Sequence, residues 1–209
     1  LYQRLFPNFK MKLLTKDLTI NVPVEKTEHK QKIIMLLDFS GSMHNTEKQE
    51  WVMAILLDRL KYCILEEAEI FFSYFVHDPS QLNFTHVHNR ETALAFLNKF
   101  STNPNGGETY IGKMIEHIKY QIDNKRLHNL NIDLSEEKPE ILIINDGQDS
   151  AKTNNFVYKS NAISLYENNS DLKRLCVNNN GKYVTIRHNG KGTHEIESFS
   201  KDGNEKLIM

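Results

Sequence analysis

Short runs of apolar residues alternate along this chain with longer stretches whose apolar residues recur every three or four positions. The first run is IIMLL at residues 33–37, and residues 71–76 and 141–144 follow it. Apolar runs of this length are typical of strands in a parallel sheet that is covered on both faces. The alternation therefore predicts an α/β fold with a doubly wound, mainly parallel sheet.

Helical spacing fills most of the chain between these runs. Helices are expected at residues 46–65, 90–100 and 111–122. Residues 82–88 alternate between apolar and polar after a turn at 77–80, which indicates one antiparallel edge strand. The pattern is weaker after residue 144, where we expect a helix near 172–176, a strand at 183–186 and a further element near 196–199.

The chain before the first core strand has a different pattern. We assign residues 1–30 to an N-terminal extension and residues 31–209 to the main domain. Within the extension, residues 18–24 alternate like a strand, and Pro23 restricts that strand to a sheet edge because proline has no N–H to donate.

Composition limits the classes of partner. The 209 residues fit one domain, and 26 Lys and Arg against 27 Asp and Glu give a net charge of -1. Such a chain has no overall basic field, so neither nucleic acid nor an anionic membrane is an expected partner. No apolar stretch approaches the roughly 18 residues of a membrane span, which predicts a soluble protein.

The two cysteines do not form a recognisable framework. Cys63 and Cys176 lie far apart, with no second cysteine or paired histidine beside either. This spacing argues against a zinc site or a disulfide scaffold, and it favours reduced thiols and a cytoplasmic location.

Polar side chains gather where the predicted strands end. The motif DFSGS at residues 38–42 follows the first core strand, and open α/β sheets bind ligands at this carboxyl edge. Following the direction of successive elements brings residues 102–109 and 145–147 to the same edge. Hard oxygen ligands suit Mg²⁺ or Mn²⁺ rather than zinc or copper. The candidate ligands are Asp38, Ser40, Ser42, Thr109 and Asp146.

These motifs resemble those of a von Willebrand factor A domain with a metal-ion-dependent adhesion site. The similarity covers about residues 31–190 and is carried by DFSGS at 38–42, GGET at 106–109 and DGQD at 146–149. The phrase LDFSGSM, the Gly-Gly-x-Thr loop and the following Ile111 and Gly112 are most similar to the bacterial branch whose members work beside MoxR-type AAA+ ATPases.

The resemblance implies a role for each candidate ligand. Ser40, Ser42 and Thr109 would supply hydroxyls, Asp38 and Asp146 would bind directly or through water, and a sixth position would stay open. A Mg²⁺ or Mn²⁺ ion facing only two carboxylates stays electrophilic and would bind an Asp or Glu side chain of a protein partner. The resemblance thus implies a non-enzymatic adaptor, with an AAA+ ATPase or its client as partner.

Specificity for that partner is expected from the loops around the metal. They lie at residues 43–47, 77–81, 103–108 and 148–155. Residues 123–137 emerge at the opposite edge of the sheet and are expected to be indifferent to metal.

Other interpretations of these residues are open at this point. The serines and Asp38 could cap a helix, and a metal at strand ends could serve a phosphatase or another hydrolase. The sequence has no Gly-x-Ser-x-Gly elbow for the latter. A metal that only braces the loops is a third possibility, and His77, His86 and His88 could form a second metal site.

Overall fold

The computed structural model describes residues 30–208, with gaps at 66, 76, 101–109, 128–129, 131, 154–155 and 189–192. The strands are β1 (Gln31–Leu37), β2 (Ala68–Tyr74), β3 (Thr85–Val87), β4 (Glu140–Asn145), β5 (Ser160–Leu165), β6 (Tyr183–His188), β7 (His194–Ser200) and β8 (Gly203–Ile208). The α-helices are α1 (Thr46–Ile64), α2 (Arg90–Lys99), α3 (Ile111–Asp123) and α4 (Ser170–Asn178), and two 3₁₀ turns span Gly41–His44 and Pro79–Gln81.

All these strands belong to one mixed sheet. Their order is β3-β2-β1-β4-β5-β6-β7-β8. The five strands from β2 to β6 in this order are parallel, while β3 is antiparallel at one edge and β7 and β8 are antiparallel at the other. The predicted α/β class and the antiparallel edge strand after β2 are confirmed, and the structure adds a second antiparallel edge.

Helices cover both faces of the sheet, as a doubly wound fold requires. One face carries α1 and α2, whose apolar residues pack with Met35, Leu37 and Ile144. The other carries α3 and α4, which pack with Ile34, Leu36 and other buried residues. Cys63 and Cys176 are fully buried in these two cores, and burial raises the pKa of the Cys63 thiol to about 11.

The strand order reverses between β1 and β4, and this reversal positions the candidate site. Leu37, the last residue of β1, is in register with Tyr74 on one side and Ile144 on the other. The backbone N–H of Asp38 continues the ladder and donates to the carbonyl of Ile144 over 2.8 Å. In open α/β sheets the crevice at such a reversal is where ligands bind.

One strand of the parallel part of the sheet, β5, differs from the sequence-based expectations. β5 was not predicted, because its sequence SNAISL lacks a continuous apolar run. Its buried Ser160 and Ser164 donate hydrogen bonds to the carbonyl of Tyr158 and to Asn145 Oδ1. The polar residues that hide β5 from a hydrophobicity argument are therefore paired inside the fold.

The N-terminal prediction lies outside the described residues. Neither the edge strand at residues 18–24 nor the rest of residues 1–29 belongs to the described part of the chain. Among the helices that are described, none combines the length and apolarity that crossing a bilayer demands.

Candidate metal centre

Two carboxylates leave the sheet side by side at its central reversal. Asp38 follows β1 and Asp146 follows β4, and each residue is only 1% exposed. Carboxylates this deeply buried need an opposite charge or several hydrogen-bond donors nearby. A cation at this edge would meet that need.

The first loop brings two hydroxyls together beside Asp38. The backbone N–H of Ser40 donates to Asp38 Oδ1 over 2.9 Å, which folds the chain back at the strand end. Ser40 Oγ and Ser42 Oγ lie 2.8 Å apart. Met43 is buried in the core below, so the 3₁₀ turn that carries Ser42 is anchored.

The spacing of these hydroxyls fits a small octahedral cation. Mg²⁺ holds oxygen ligands at about 2.1 Å, so neighbouring ligand oxygens are about 3 Å apart. The 2.8 Å between Ser40 Oγ and Ser42 Oγ matches that separation. Within the described residues, no group of three or more His, Cys, Asp and Glu could hold a metal ion. A metal at this edge would therefore depend on serine hydroxyls, which suits Mg²⁺ or Mn²⁺.

The loop that carries Asp146 is held by its neighbours. Asn145 is fully buried, and its Oδ1 accepts hydrogen bonds from the backbone N–H of Gly147 over 2.6 Å and from Ser164 Oγ over 3.1 Å. Gly147 has a φ of 90°, and a Cβ there would lie 2.5 Å from the carbonyl oxygen of Glu167. The third loop thus has a fixed course that needs glycine.

Asn169 supports the same loop from the start of α4. Its Nδ2 donates to the carbonyl oxygens of Gly147 and Asp149 over 3.4 and 2.5 Å. Its Oδ1 accepts from the backbone N–H of Leu172 over 3.0 Å and so caps α4. Sequence reasoning missed Asn169, because a local sequence pattern does not show the long-range partner of an asparagine cap.

The second predicted loop, including Thr109, lies outside the described residues. Its described neighbours lie beside the other loops. Tyr110 has its ring centroid 5.3 Å from that of His77, in the turn after β2. A Cβ on Gly112 would lie 2.5 Å from the carbonyl oxygen of Lys152, so α3 begins close against the segment after β4. The assignment of Thr109 as a ligand stays a prediction.

Lys48 is a site residue that sequence reasoning missed. Its Nζ lies 3.1 Å from Asp146 Oδ2 and 3.0 Å from the carbonyl oxygen of Ser42. The side chain is 12% exposed. The one available signal was a lysine in the first turn of α1, where the helix dipole disfavours a cation unless an anion compensates it.

The histidines near β3 do not support a second metal site. His86 Nε2 lies 2.9 Å from Glu69 Oε2, and its ring stacks on Phe71 at 4.6 Å between centroids. The His88 ring lies 4.6 Å from the His86 ring. Although Glu69, His86 and His88 are neighbours, no group of three or more His, Cys, Asp and Glu in the described part of the chain could hold a metal ion. These contacts are those of a sheet edge.

Comparisons with solved structures show a similarity of fold. No protein-family model and no curated protein sequence matches the chain. A solved structure described as "Crystal Structure of the SpRpn10 VWA domain" is similar to this chain, with 14% sequence identity and a TM-score of 0.47. The match covers 76% of this chain and 89% of that chain. At this level of similarity, function is to be inferred from the chain's own residues.

Proposed function

We propose that this chain is a non-enzymatic protein-binding module of the von Willebrand factor A type that works through a bound Mg²⁺ or Mn²⁺. The metal is held by Asp38, Ser40, Ser42, Thr109 and Asp146, and it binds an Asp or Glu carboxylate of a partner protein. The observation that carries the proposal is the pair of hydroxyls 2.8 Å apart, beside two buried carboxylates at the reversal of the sheet.

The charge of the centre favours an acidic ligand. Two carboxylates and neutral serine hydroxyls leave a Mg²⁺ centre with no excess negative charge. The centre therefore does not repel a further anionic oxygen, and the open position on the ion can bind one. Ser42 is exposed while Asp38 and Asp146 are buried. An approaching carboxylate therefore reaches the metal from the serine side.

Protein contacts already hold the first and third loops in place without a metal. Asn145, Gly147 and Asn169 already hold the third loop by hydrogen bonds and close packing. The backbone bond between Asp38 and Ile144 joins the first loop to β4. These protein contacts favour a metal that binds a ligand over one that only holds the loops.

The serine contacts also favour binding over hydrolysis. A serine nucleophile needs a base that takes its proton. Among the residues that the structure describes, Ser40 Oγ contacts the hydroxyl of Ser42, which is too weak a base for that task. We therefore expect no turnover of phosphate, ester or peptide substrates.

The identity of the partner is the finer part of the proposal. The similarity of LDFSGSM at residues 37–43 to the branch that works beside MoxR-type ATPases points to such an ATPase or its client. Around the metal, specificity would come from the surrounding loops, because a metal to carboxylate bond alone accepts any acidic side chain.

Calorimetric titration with Mg²⁺ and Mn²⁺ tests the metal requirement. Asp38→Ala should weaken metal binding at least tenfold, because it removes one of two carboxylates. Asp202→Ala is the matched control, since Asp202 is exposed in the turn between β7 and β8. Equal metal binding by the wild type and Asp38→Ala would show that the centre is misassigned.

Affinity capture from native extract tests the partner requirement. Proteins retained in Mg²⁺ should be lost with chelator and with Asp38→Ala, yet retained by Asp202→Ala. Substituting the acidic residues of a captured protein, one at a time, should then identify the carboxylate that reaches the metal. Capture that is indifferent to chelator would contradict the proposed function.

A further inference from the structure

We infer that Lys48 is a tethered cation that competes with the divalent metal for Asp146 and thereby sets the metal affinity of the centre. The inference rests on the proposed function, since it concerns the same metal. It adds a residue that belongs to none of the three motifs of the sequence.

The position of the ammonium group carries the inference. Lys48 Nζ lies 3.1 Å from Asp146 Oδ2 and 3.0 Å from the carbonyl oxygen of Ser42. It therefore bridges the first and third loops, between which the metal would sit. The face of the Tyr166 ring lies 5.7 Å from Nζ. The carboxylate, the carbonyl and the ring together hold the ammonium at the site.

Burial strengthens the ion pair between Lys48 and Asp146. The side chains of Lys48 and Asp146 are 12% and 2% exposed. An ion pair with so little water around it is weakly screened, and removing one partner leaves a buried charge uncompensated. Without metal, Lys48 is therefore the counter-ion of Asp146.

Metal binding changes the balance of charge around that carboxylate. A divalent cation on Asp146 would stand close to the ammonium, and two cations near each other in a poorly hydrated site repel strongly. The Lys48 ammonium must then turn outward toward solvent, or stay in place and weaken the binding of the metal. Both routes reduce the affinity of the centre for metal.

The location of Lys48 on α1 makes the outward movement feasible. Lysine has a long flexible side chain with rotatable donors. The residue lies in the first turn of its helix, where the dipole also repels a cation. The pair with Asp146 is thus what holds the ammonium inward, and a metal that takes Asp146 removes that hold. The centre would fill only above a threshold of free Mg²⁺ that Lys48 sets.

Metal titration of Lys48→Met tests the inference. Calorimetry with Mg²⁺ and with Mn²⁺ at fixed ionic strength should give at least tenfold tighter binding than the wild type. Lys48→Arg keeps the charge and should stay close to the wild type, which separates charge from packing. Lys61→Met, on the exposed end of the same helix, is the matched control and should not change the affinity.

Thermal unfolding gives a second readout that does not depend on any partner. In chelator, Lys48→Met should melt below the wild type, because Asp146 loses its counter-ion. Saturating Mg²⁺ should raise the melting temperature of Lys48→Met more than that of the wild type. This linkage follows from tighter binding to the folded state.

The outcomes separate the inference from the proposed function. Equal or weaker metal binding by Lys48→Met, with binding still lost in Asp38→Ala, overturns the role of Lys48 and leaves the metal centre standing. Metal binding by neither the wild type nor Lys48→Met overturns both.

Discussion

Gly147 and Gly41 lie in two loops of the same centre, yet the structure places opposite demands on them. Gly147 has a φ of 90°, in the left-handed region, and a Cβ there would meet the backbone of Glu167 at 2.5 Å. A Cβ on Gly41 would have no atom of the described residues within 4 Å. Gly147 is therefore required by backbone geometry, whereas Gly41 has room for a side chain.

The two glycines form a matched pair for substitution. Gly147→Ala should lower the free energy of unfolding by about 2 kcal/mol, from backbone strain and the clash with Glu167. Gly41→Ala should change it by less than about 0.5 kcal/mol. Urea denaturation of both variants in chelator measures the difference. Similar losses in the two would contradict the geometry of the third loop.

At the scale of single residues, the sequence alone indicates candidate metal ligands more readily than it indicates which side chains contact each other. Asp38, Ser40, Ser42 and Asp146 could be named because a motif and the direction of the strands converge on one edge. Lys48 could not, since its partner Asp146 lies 98 positions away. A local pattern carries no information about a contact of that range.

At the scale of elements, the C-terminal end of α3 is stabilised by contacts that do not involve the metal centre. Asp123, the last residue of α3, accepts a hydrogen bond from the Tyr158 hydroxyl over 2.7 Å and from Lys119 Nζ over 2.6 Å. The bonds from Lys119 and Tyr158 lower the pKa of Asp123, and burial raises the pKa of Tyr158 to about 12. This contact joins α3 to the segment before β5.

Tyr158→Phe should lower the free energy of unfolding by about 1 kcal/mol at pH 7, through the lost hydrogen bond. The Asp123 carboxyl has a lower pKa folded than unfolded, so its stabilising effect is present above the unfolded value. That effect is lost as the pH falls through the folded pKa. The cost of the substitution should therefore begin to shrink below about pH 4, the ordinary range for an Asp carboxyl, and should be smallest once the pH is below the lowered pKa of Asp123.

Chemical denaturation across pH, in Mg²⁺ and in chelator, measures this effect. The loss of unfolding free energy in Tyr158→Phe should be the same with and without metal. The start of α3 at Ile111 lies beside the site loops, whereas the contact with Tyr158 lies at the opposite end of this helix. A loss of unfolding free energy that depends on metal would mean that the C-terminal end of α3 is coupled to the metal centre. It would also contradict the expectation that residues 123–137 are indifferent to metal.

Elements differ in how far the sequence predicts them. α1 and α3 could be predicted closely because a long amphipathic helix repeats its signal over several turns. β5 escaped notice because its buried serines satisfy their hydroxyls through long-range and local hydrogen bonds. β7 (His194–Ser200) corresponds to the element expected near residues 196–199. β8 carries charged residues such as Glu205 and Lys206 and offers no apolar run to detect.

At the scale of the whole molecule, topology accounts for the position of the centre. β1 and β4 are adjacent in the middle of the sheet, and the order of strands runs outward from them in opposite directions. The helices that follow β1 and precede β4 pack on opposite faces. A crevice at the carboxyl ends of these two strands follows from that winding. The fold class and this edge could be predicted from strand alternation, but the second antiparallel edge could not.

The central claim is that a divalent cation binds between the ends of β1 and β4. Anomalous diffraction from crystals equilibrated with Mn²⁺ tests it most directly, because manganese stands in for magnesium and its position is measured without assumption. We predict a strong peak at bonding distance from Ser40 Oγ and Ser42 Oγ, with Asp38 and Asp146 bound directly or through water, and with Lys48 turned away from Asp146. Crystals that bind manganese elsewhere, with no peak at this edge and Lys48 still on Asp146, would contradict the account.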